Sequence, residues 1–310
     1  MSGPPLAGKV VVVTGATSGI GRATALACSR QGARLMAVGR KGAALESLAE
    51  ACAGWGGELR SIALDVTEDE AMETIASDAL DAFGRIDAWV NNAAVYAVGR
   101  FEQTPPEAFE RVLAVNLQAA VRGSRVALAQ FRAQGEGVLI NVSSMVAGLP
   151  GPTVSAYAAA KWGLRGFSLA LHAELRDEPG VDVCVVRPSS IDTPIFRQTA
   201  NYSGRRVKAL TPTYAPEQAA RAIAGLITKP RRELVVGRSG KALVAARHLA
   251  PGLVDRIFAT RSVRDQFDGD EPAELTDGNL YEPDERWDDV TGGWRGRAGA
   301  IAAGARAGRL

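Results

Sequence analysis

The chain has 310 residues, 46% of them hydrophobic and 23% charged, with a formal net charge of +2. That is the composition of a globular protein with a sizeable core, and the near-balanced charge carries no electrostatic footprint for nucleic acid. Three cysteines without metal-ligand spacing and only two histidines argue against a disulfide framework or a metal site, and the expected state is buried free thiols in a reducing compartment.

Residues 9–14, Lys-Val-Val-Val-Val-Thr, form a short β-branched apolar run that predicts a buried strand. The eight residues before it are too few for a signal peptide, and no apolar run reaches membrane-spanning length, so the cytoplasm is the expected location. Gly15-Ala16-Thr17-Ser18-Gly19-Ile20-Gly21 follows, and then a helical pattern over 19–31. A strand, a glycine-rich turn and a helix N-terminus make an anion site: the backbone approaches a pyrophosphate closely, and free N–H groups with the helix dipole face it. The next strand, 34–39, ends in Gly39-Arg40. An acidic residue at that position holds the adenosine ribose hydroxyls, whereas an Arg accommodates a 2′-phosphate. Arg40 therefore predicts NADP(H) in preference to NAD(H).

Further strands are predicted over 58–65, 86–92, 137–143, 181–187 and 233–237, with helices over 42–53, 68–83, 105–133, 154–177 and 216–228. The alternation predicts an α/β fold, a doubly wound, Rossmann-like parallel sheet of about seven strands with helices on both faces and ligands at the carboxyl ends of the strands. Ser144 follows one such strand, and Tyr157 and Lys161 share one face of the helix after it. A phenol of ordinary pKa, about 10, is a weak acid–base group at neutral pH. A fixed ammonium beside it is expected to lower that pKa by ~1–3 units, and a nearby hydroxyl to orient a carbonyl or alcohol oxygen.

With these motifs in place the chain resembles the short-chain dehydrogenase/reductase family, in the subgroup with the Thr-Gly-x-x-x-Gly-x-Gly turn and a Tyr-x-x-x-Lys site, over roughly residues 6–240. The resemblance rests on Thr14–Gly21, Leu64-Asp65-Val66, Asn91-Asn92-Ala93-Ala94, Asn116, Ser144, Tyr157 and Lys161. It implies catalytic roles for Asn116, Ser144, Tyr157 and Lys161. It implies a cofactor site made by Gly15, Thr17, Ser18, Gly19, Ile20, Gly21, Arg40, Asp65, Val66, Asn92, Ala93, Pro188, Ile191 and Thr193 together with Tyr157 and Lys161. In that pattern Asp65 and Val66 contact the adenine, Asn116 kinks its helix and holds a relay water, and Thr193 meets the carboxamide. Homodimers or homotetramers are implied as well. Two departures stand out: Ala94 replaces a usual Gly, and Ser189 follows Pro188 where the family carries Gly.

Residues 1–240 are thus expected to be one catalytic and NADP-binding domain. Within it, 194–215 would lid the substrate, and Ile195, Phe196, Tyr202, Leu210 and Tyr214 point to a lipophilic or bulky carbonyl or alcohol. Residues 241–310 read as a partly disordered C-terminal extension with an amphipathic helix near 240–249. Eleven acidic side chains between Asp265 and Asp289 face a lobe rich in Arg and Lys over 197–247. This predicts that part of 265–290 docks on that lobe, anchored by Tyr281 and Trp287, with 296–310 disordered. The residues leave two functional classes open: a carbonyl reductase or secondary-alcohol dehydrogenase, or a catalytically quiet NADP(H)-binding sensor or scaffold. Membrane-surface contact through 240–261 is permitted by its basic and apolar mix but is not expected.

Overall fold

The computed structural model of the chain describes residues 4–295. In chain order it contains β1 (Val10–Thr14), α1 (Gly19–Ser29), β2 (Arg34–Gly39), α2 (Gly42–Cys52), β3 (Leu59–Ala63), α3 (Ala71–Phe83), β4 (Ala88–Asn91) and β5 (Ala97–Val98). There follow α4 (Pro106–Leu113), a π-helical turn (Ala114–Gln118), α5 (Ala119–Gln134), β6 (Gly137–Val142), α6 (Ser155–Glu174), β7 (Val181–Pro188), β8 (Ala200–Asn201) and β9 (Arg205–Val207). The last elements are α7 (Pro216–Thr228), β10 (Glu233–Val236), α8 (Arg238–Leu249), α9 (Pro251–Gln266) and β11 (Phe267–Pro272).

The central sheet has seven strands in the order β10-β7-β6-β4-β1-β2-β3, all paired in parallel. The order reverses beside β1, so the connections that leave β1 and β4 run in opposite directions and open a crevice at the carboxyl ends of these strands. The unbroken valine run of β1 follows from burial on both faces: Val10 and Val12 enter one apolar cluster, Val11 and Val13 the other. The first cluster lies under α3, α4, α5 and α6, and the second under α1, α2 and α7.

A buried polar chain ties the middle of the sheet to two of its helices. Trp89 Nε1 donates to Asn91 Oδ1 (2.8 Å), Asn91 Nδ2 to Asn141 Oδ1 (2.8 Å), and Asn141 Nδ2 to Ser168 Oγ on α6 (2.9 Å). Asn91 Nδ2 also reaches Ala120 O and Ser124 Oγ of α5. A connected network of this kind fixes one register of strand against helix.

The predicted helix over 105–133 is interrupted. Asn116 sits in the π turn, donates from Nδ2 to Val95 O (2.8 Å) and accepts at Oδ1 from Val95 N–H (2.8 Å). The side chain binds a neighbouring loop as a backbone would, and an extra residue is accommodated in the helix where it does so.

Beyond Val236 the helix expected near 240–249 is present as α8, and the acidic segment meets the basic lobe as expected. Residues 241–295 are built into α8, α9, β11 and a terminal strap; 296–310 lie outside the described residues. β11 pairs antiparallel with β9, and across that pair Asp268, Asp270 and Glu271 meet Lys208, Arg205 and Arg206 at 3.3, 3.3 and 3.0 Å. Backbone pairing holds the segment together, since exposed ion pairs of this kind contribute at most about 1 kcal/mol each. β8 pairs in parallel with β5, so residues 194–215 are stitched to the sheet side at one edge and to the extension at the other.

Candidate active site

A cavity of about 690 Å³ runs along the carboxyl ends of the central strands, from the glycine turn after β1 to the start of α6. Its walls include Gly15, Thr17, Ser18, Gly19, Ile20, Arg40, Asp65, Val66, Asn92, Ala93, Ser144, Tyr157, Lys161, Pro188, Ile191 and Thr193. Two residues in the predicted set stand behind the wall. Gly21 supports the turn: a Cβ there would lie 2.0 Å from Gly15 O. Asn116 reaches the cavity only through Val95, whose backbone it holds.

The turn fits a dinucleotide through its shape. Gly15 has φ +68° and Gly19 φ +54°, a left-handed region that favours glycine. A Cβ at Gly15 would approach Ala93 Cα to 2.8 Å, and one at Gly39 would approach Thr17 Cγ2 to 2.5 Å. Glycine at these positions lets β1, β2 and β4 come together at the floor of the crevice. Thr14 Oγ1 accepts from the N–H groups of Asn92 and Ala93 (3.0 and 3.2 Å), which closes the floor on the far side.

At the other end Tyr157 and Lys161 lie one turn apart on α6, and Ser144 follows β6. Lys161 is 2% exposed and donates to Val142 O (2.9 Å), while Ser143 Oγ donates to Lys161 O (2.9 Å). The Lys161 ammonium is 5.7 Å from the Tyr157 ring centroid. Burial pushes the phenol of Tyr157 up to about 12, with a Ser144 hydrogen bond working against it. Burial also brings Lys161 down to about 7. The direction is opposite to the lowering expected from Lys161, because burial of the phenol is the largest cause. Tyr96 meets the Tyr157 ring edge-on at 4.7 Å and limits its tilt.

Past Tyr157 the cavity is mainly apolar, with Arg261, Ser262 and Asp265 of α9 also on its wall. Tyr96, Met145, Val146, Ile195, Phe196 and Leu210 line it, joined by Leu243 of α8 and Val254, Ile257 and Phe258 of α9. The α9 contribution was not legible in the sequence: its apolar residues do not form a clean stripe, and they face the cavity only because α8 and α9 pack as a hairpin. The Ser189 departure has a local partner. Its Oγ would lie 2.4 Å from a Cβ on Gly240, so the hydroxyl fits against the first turn of α8 because that position is glycine.

At the adenosine end Asp65 is partly desolvated, yet hydrogen bonds from Thr67 and Arg111 hold its carboxyl below the usual range. Arg40 is placed beside it, 3.8 Å from Asp65 Oδ2, but its guanidinium is also engaged by the extension: it donates to Asn279 O (2.7 Å) and Tyr281 O (2.8 Å). Arg111, which carried no signal in the sequence, donates to Leu280 O (2.9 Å).

Residues 9–203 match the family model described as short chain dehydrogenase. The chain is 34% identical over 253 residues to "Uncharacterized oxidoreductase YxnA" of Bacillus subtilis, covering 81% of this chain and 71% of that one. It is 37% identical over 257 residues to "Probable oxidoreductase EphD" of Mycobacterium tuberculosis, where the match covers 78% of this chain but only 43% of the longer relative. Among solved structures, an alcohol dehydrogenase from Thermococcus sibiricus complexed with 5-hydroxy-NADP superposes with a TM-score of 0.64 at 30% identity, covering 74% of this chain and 95% of that one. Other solved neighbours are complexes with NADP and with NAD.

Proposed function

Because the chain belongs to the short-chain dehydrogenase family of oxidoreductases, we propose that it is an NADP(H)-dependent carbonyl reductase or secondary-alcohol dehydrogenase acting on a lipophilic or bulky substrate. The observation that carries this reading is the Tyr157 phenol beside Ser144 and one helical turn from buried Lys161, at the junction of the glycine-floored crevice and a mainly apolar pocket.

When bound, a nicotinamide dinucleotide supplies or accepts the hydride. Gly15–Ile20, Asn92, Ala93 and Thr193 would hold it, and Arg40, whose guanidinium also donates to the carbonyls of 279–281, would meet a 2′-phosphate with its remaining N–H groups. Ser144 orients the substrate oxygen by hydrogen bonding. Tyr157 carries the proton: its O–H donates to the oxygen in reduction and takes the proton back in oxidation. The Lys161 ammonium, 5.7 Å from the Tyr157 ring centroid, stabilises the phenolate as the proton leaves it. Asn116 keeps Val95, part of the cavity wall, in position.

The preference for NADP(H) rests on Arg40, with Gly39 leaving no acid to meet a free ribose. Solved neighbours carry either dinucleotide. A screen of NADPH oxidation over ketones, aldehydes and quinones, with NADH in parallel, tests the whole reading. Tyr157→Phe is expected to bind cofactor normally and lose most turnover. Near-normal kcat in that variant would refute the proton role, and equal affinities for NADPH and NADH would refute the Arg40 role.

A further inference from the structure

The C-terminal strap follows the dinucleotide crevice along its length. After the antiparallel bridge of Asn201 to Thr276, Asn279 N–H donates to Gln198 O (2.9 Å), and Leu280 is fully buried in the main core cluster. The carbonyls of 279–281 then accept from Arg40 at the end of β2. Lys41 Nζ donates to the carbonyls of Asp284 (2.8 Å) and Trp287 (3.0 Å). Next, Gly19 N–H, in the first turn of α1, donates to Asp289 O (3.0 Å). Finally the strap reaches the loop after β7. Asp192 Oδ1 accepts from Gly292 N–H (3.1 Å) and Trp294 N–H (2.8 Å), and Trp294 Nε1 donates to Thr193 O (3.1 Å).

These anchors lie on the three segments that bound the cofactor crevice: the end of β2, the start of α1 and the loop after β7. The strap covers the crevice without filling it. The cavity of about 690 Å³ remains beneath, and Asn279, Pro283 and Asp284 are part of its wall. We propose that residues 277–295 are a component of the dinucleotide site itself: a clasp under which the cofactor is held, with Asn279, Pro283 and Asp284 as contact residues at the adenosine end. The inference rests on the reading that this cavity takes a nicotinamide dinucleotide. A molecule lying between Arg40 and Thr193 cannot leave along the crevice while the clasp is anchored at both ends. Its release therefore waits on detachment of the clasp, and the off-rate reads clasp opening.

The physics separates a clasp from a competitor. A competitor occupies the cofactor's volume, so its removal tightens binding and speeds association. A clasp adds wall contacts and a barrier, so its removal weakens binding and speeds dissociation. The experiment is displacement of bound NADPH, and in parallel NADH, from the full-length protein in stopped flow, read by dinucleotide fluorescence. Two variants accompany the wild type. Truncation after Glu282 keeps buried Leu280 and removes the anchors on Lys41, Gly19 and Asp192. Asp192→Ala changes no cavity-lining residue and removes the carboxylate that accepts from the N–H groups of Gly292, Trp294 and Arg295, the largest part of the terminal anchor. Hydrogen exchange of 283–294 is followed with and without dinucleotide.

The expected result is dissociation at least tenfold faster in both variants, with weaker binding, and amides of 283–294 that gain protection when dinucleotide binds the wild type. Unchanged off-rates in a folded Asp192→Ala protein, or tighter binding after truncation, would overturn the clasp. Absence of any dinucleotide binding to the wild type would instead overturn the functional reading on which it rests.

Discussion

Replacing Lys161 with Met is expected to stabilise the cofactor-free protein while abolishing its chemistry. Lys161 is 2% exposed and burial brings its pKa from 10.5 to about 7. The unfolded chain therefore holds a proton that the folded chain sheds, and stability rises with pH between about 7 and 10.5. The penalty is fully present below pH ~7, where it amounts to roughly 4–5 kcal/mol at 1.36 kcal/mol per unit. Against it stands the loss of the hydrogen bond to Val142 O, about 1–2 kcal/mol. Met fills a similar volume, so no large cavity cost is added. The net expectation at pH 6 is a gain of about 2–4 kcal/mol, and the difference between variant and wild type should shrink by about 3 kcal/mol towards pH 9. Urea denaturation of both proteins across that range measures it. A difference that stays constant with pH, or a variant less stable at pH 6, would refute the argument that the site is strained by its own buried ammonium.

Asn91→Ala should cost about 2–4 kcal/mol, because Asn91 serves Trp89, Asn141, Ser124 and Ala120 at once; equilibrium unfolding with little loss would show those bonds to be replaceable. Asp87 is buried, yet Lys9, Arg85 and Val10 N–H hold its carboxyl below the usual range, so its contribution is present at neutral pH and lost as pH falls below about 4. Asp87→Asn is expected to lower stability at pH 7 and to flatten the acid limb of the stability curve, and an unchanged acid limb would contradict this. Gly21→Ala, whose methyl would meet Gly15 O at 2.0 Å, should abolish dinucleotide binding in fluorescence titration, and normal affinity would show that the turn can relax.

The legible part of the molecule is the part with local signals. β2 is legible to the residue because its apolar run ends at Gly39, and the range 216–228 coincides with α7, which begins at Pro216. The arrangement of Ser144, Tyr157 and Lys161 followed from helix periodicity and position after a strand. The proton affinity of Tyr157 did not, because desolvation depends on what packs around the ring, and Tyr96, itself braced by Phe196, comes from a distant segment. The same holds for α9 and the strap. The strap's anchors are mainly backbone carbonyls and N–H groups, which every residue has, so no side-chain pattern marks them. Acidic composition at 265–289 hinted at docking on Arg205, Arg206 and Lys208; it gave no sign that Arg40 and Lys41 would be engaged as well.

The placement of that strap at the end of the chain also bears on the order of synthesis. The seven-stranded sheet and both sides of the dinucleotide crevice are complete in the polypeptide once β10 has been made, whereas the strap emerges only after α8, α9 and β11. Domains fold as they leave the ribosome, N-terminal portions first. The nascent protein therefore passes through a stage in which the crevice is formed and uncovered, and a dinucleotide present in the surrounding solution meets an open site at that stage before residues 277–295 fold across it.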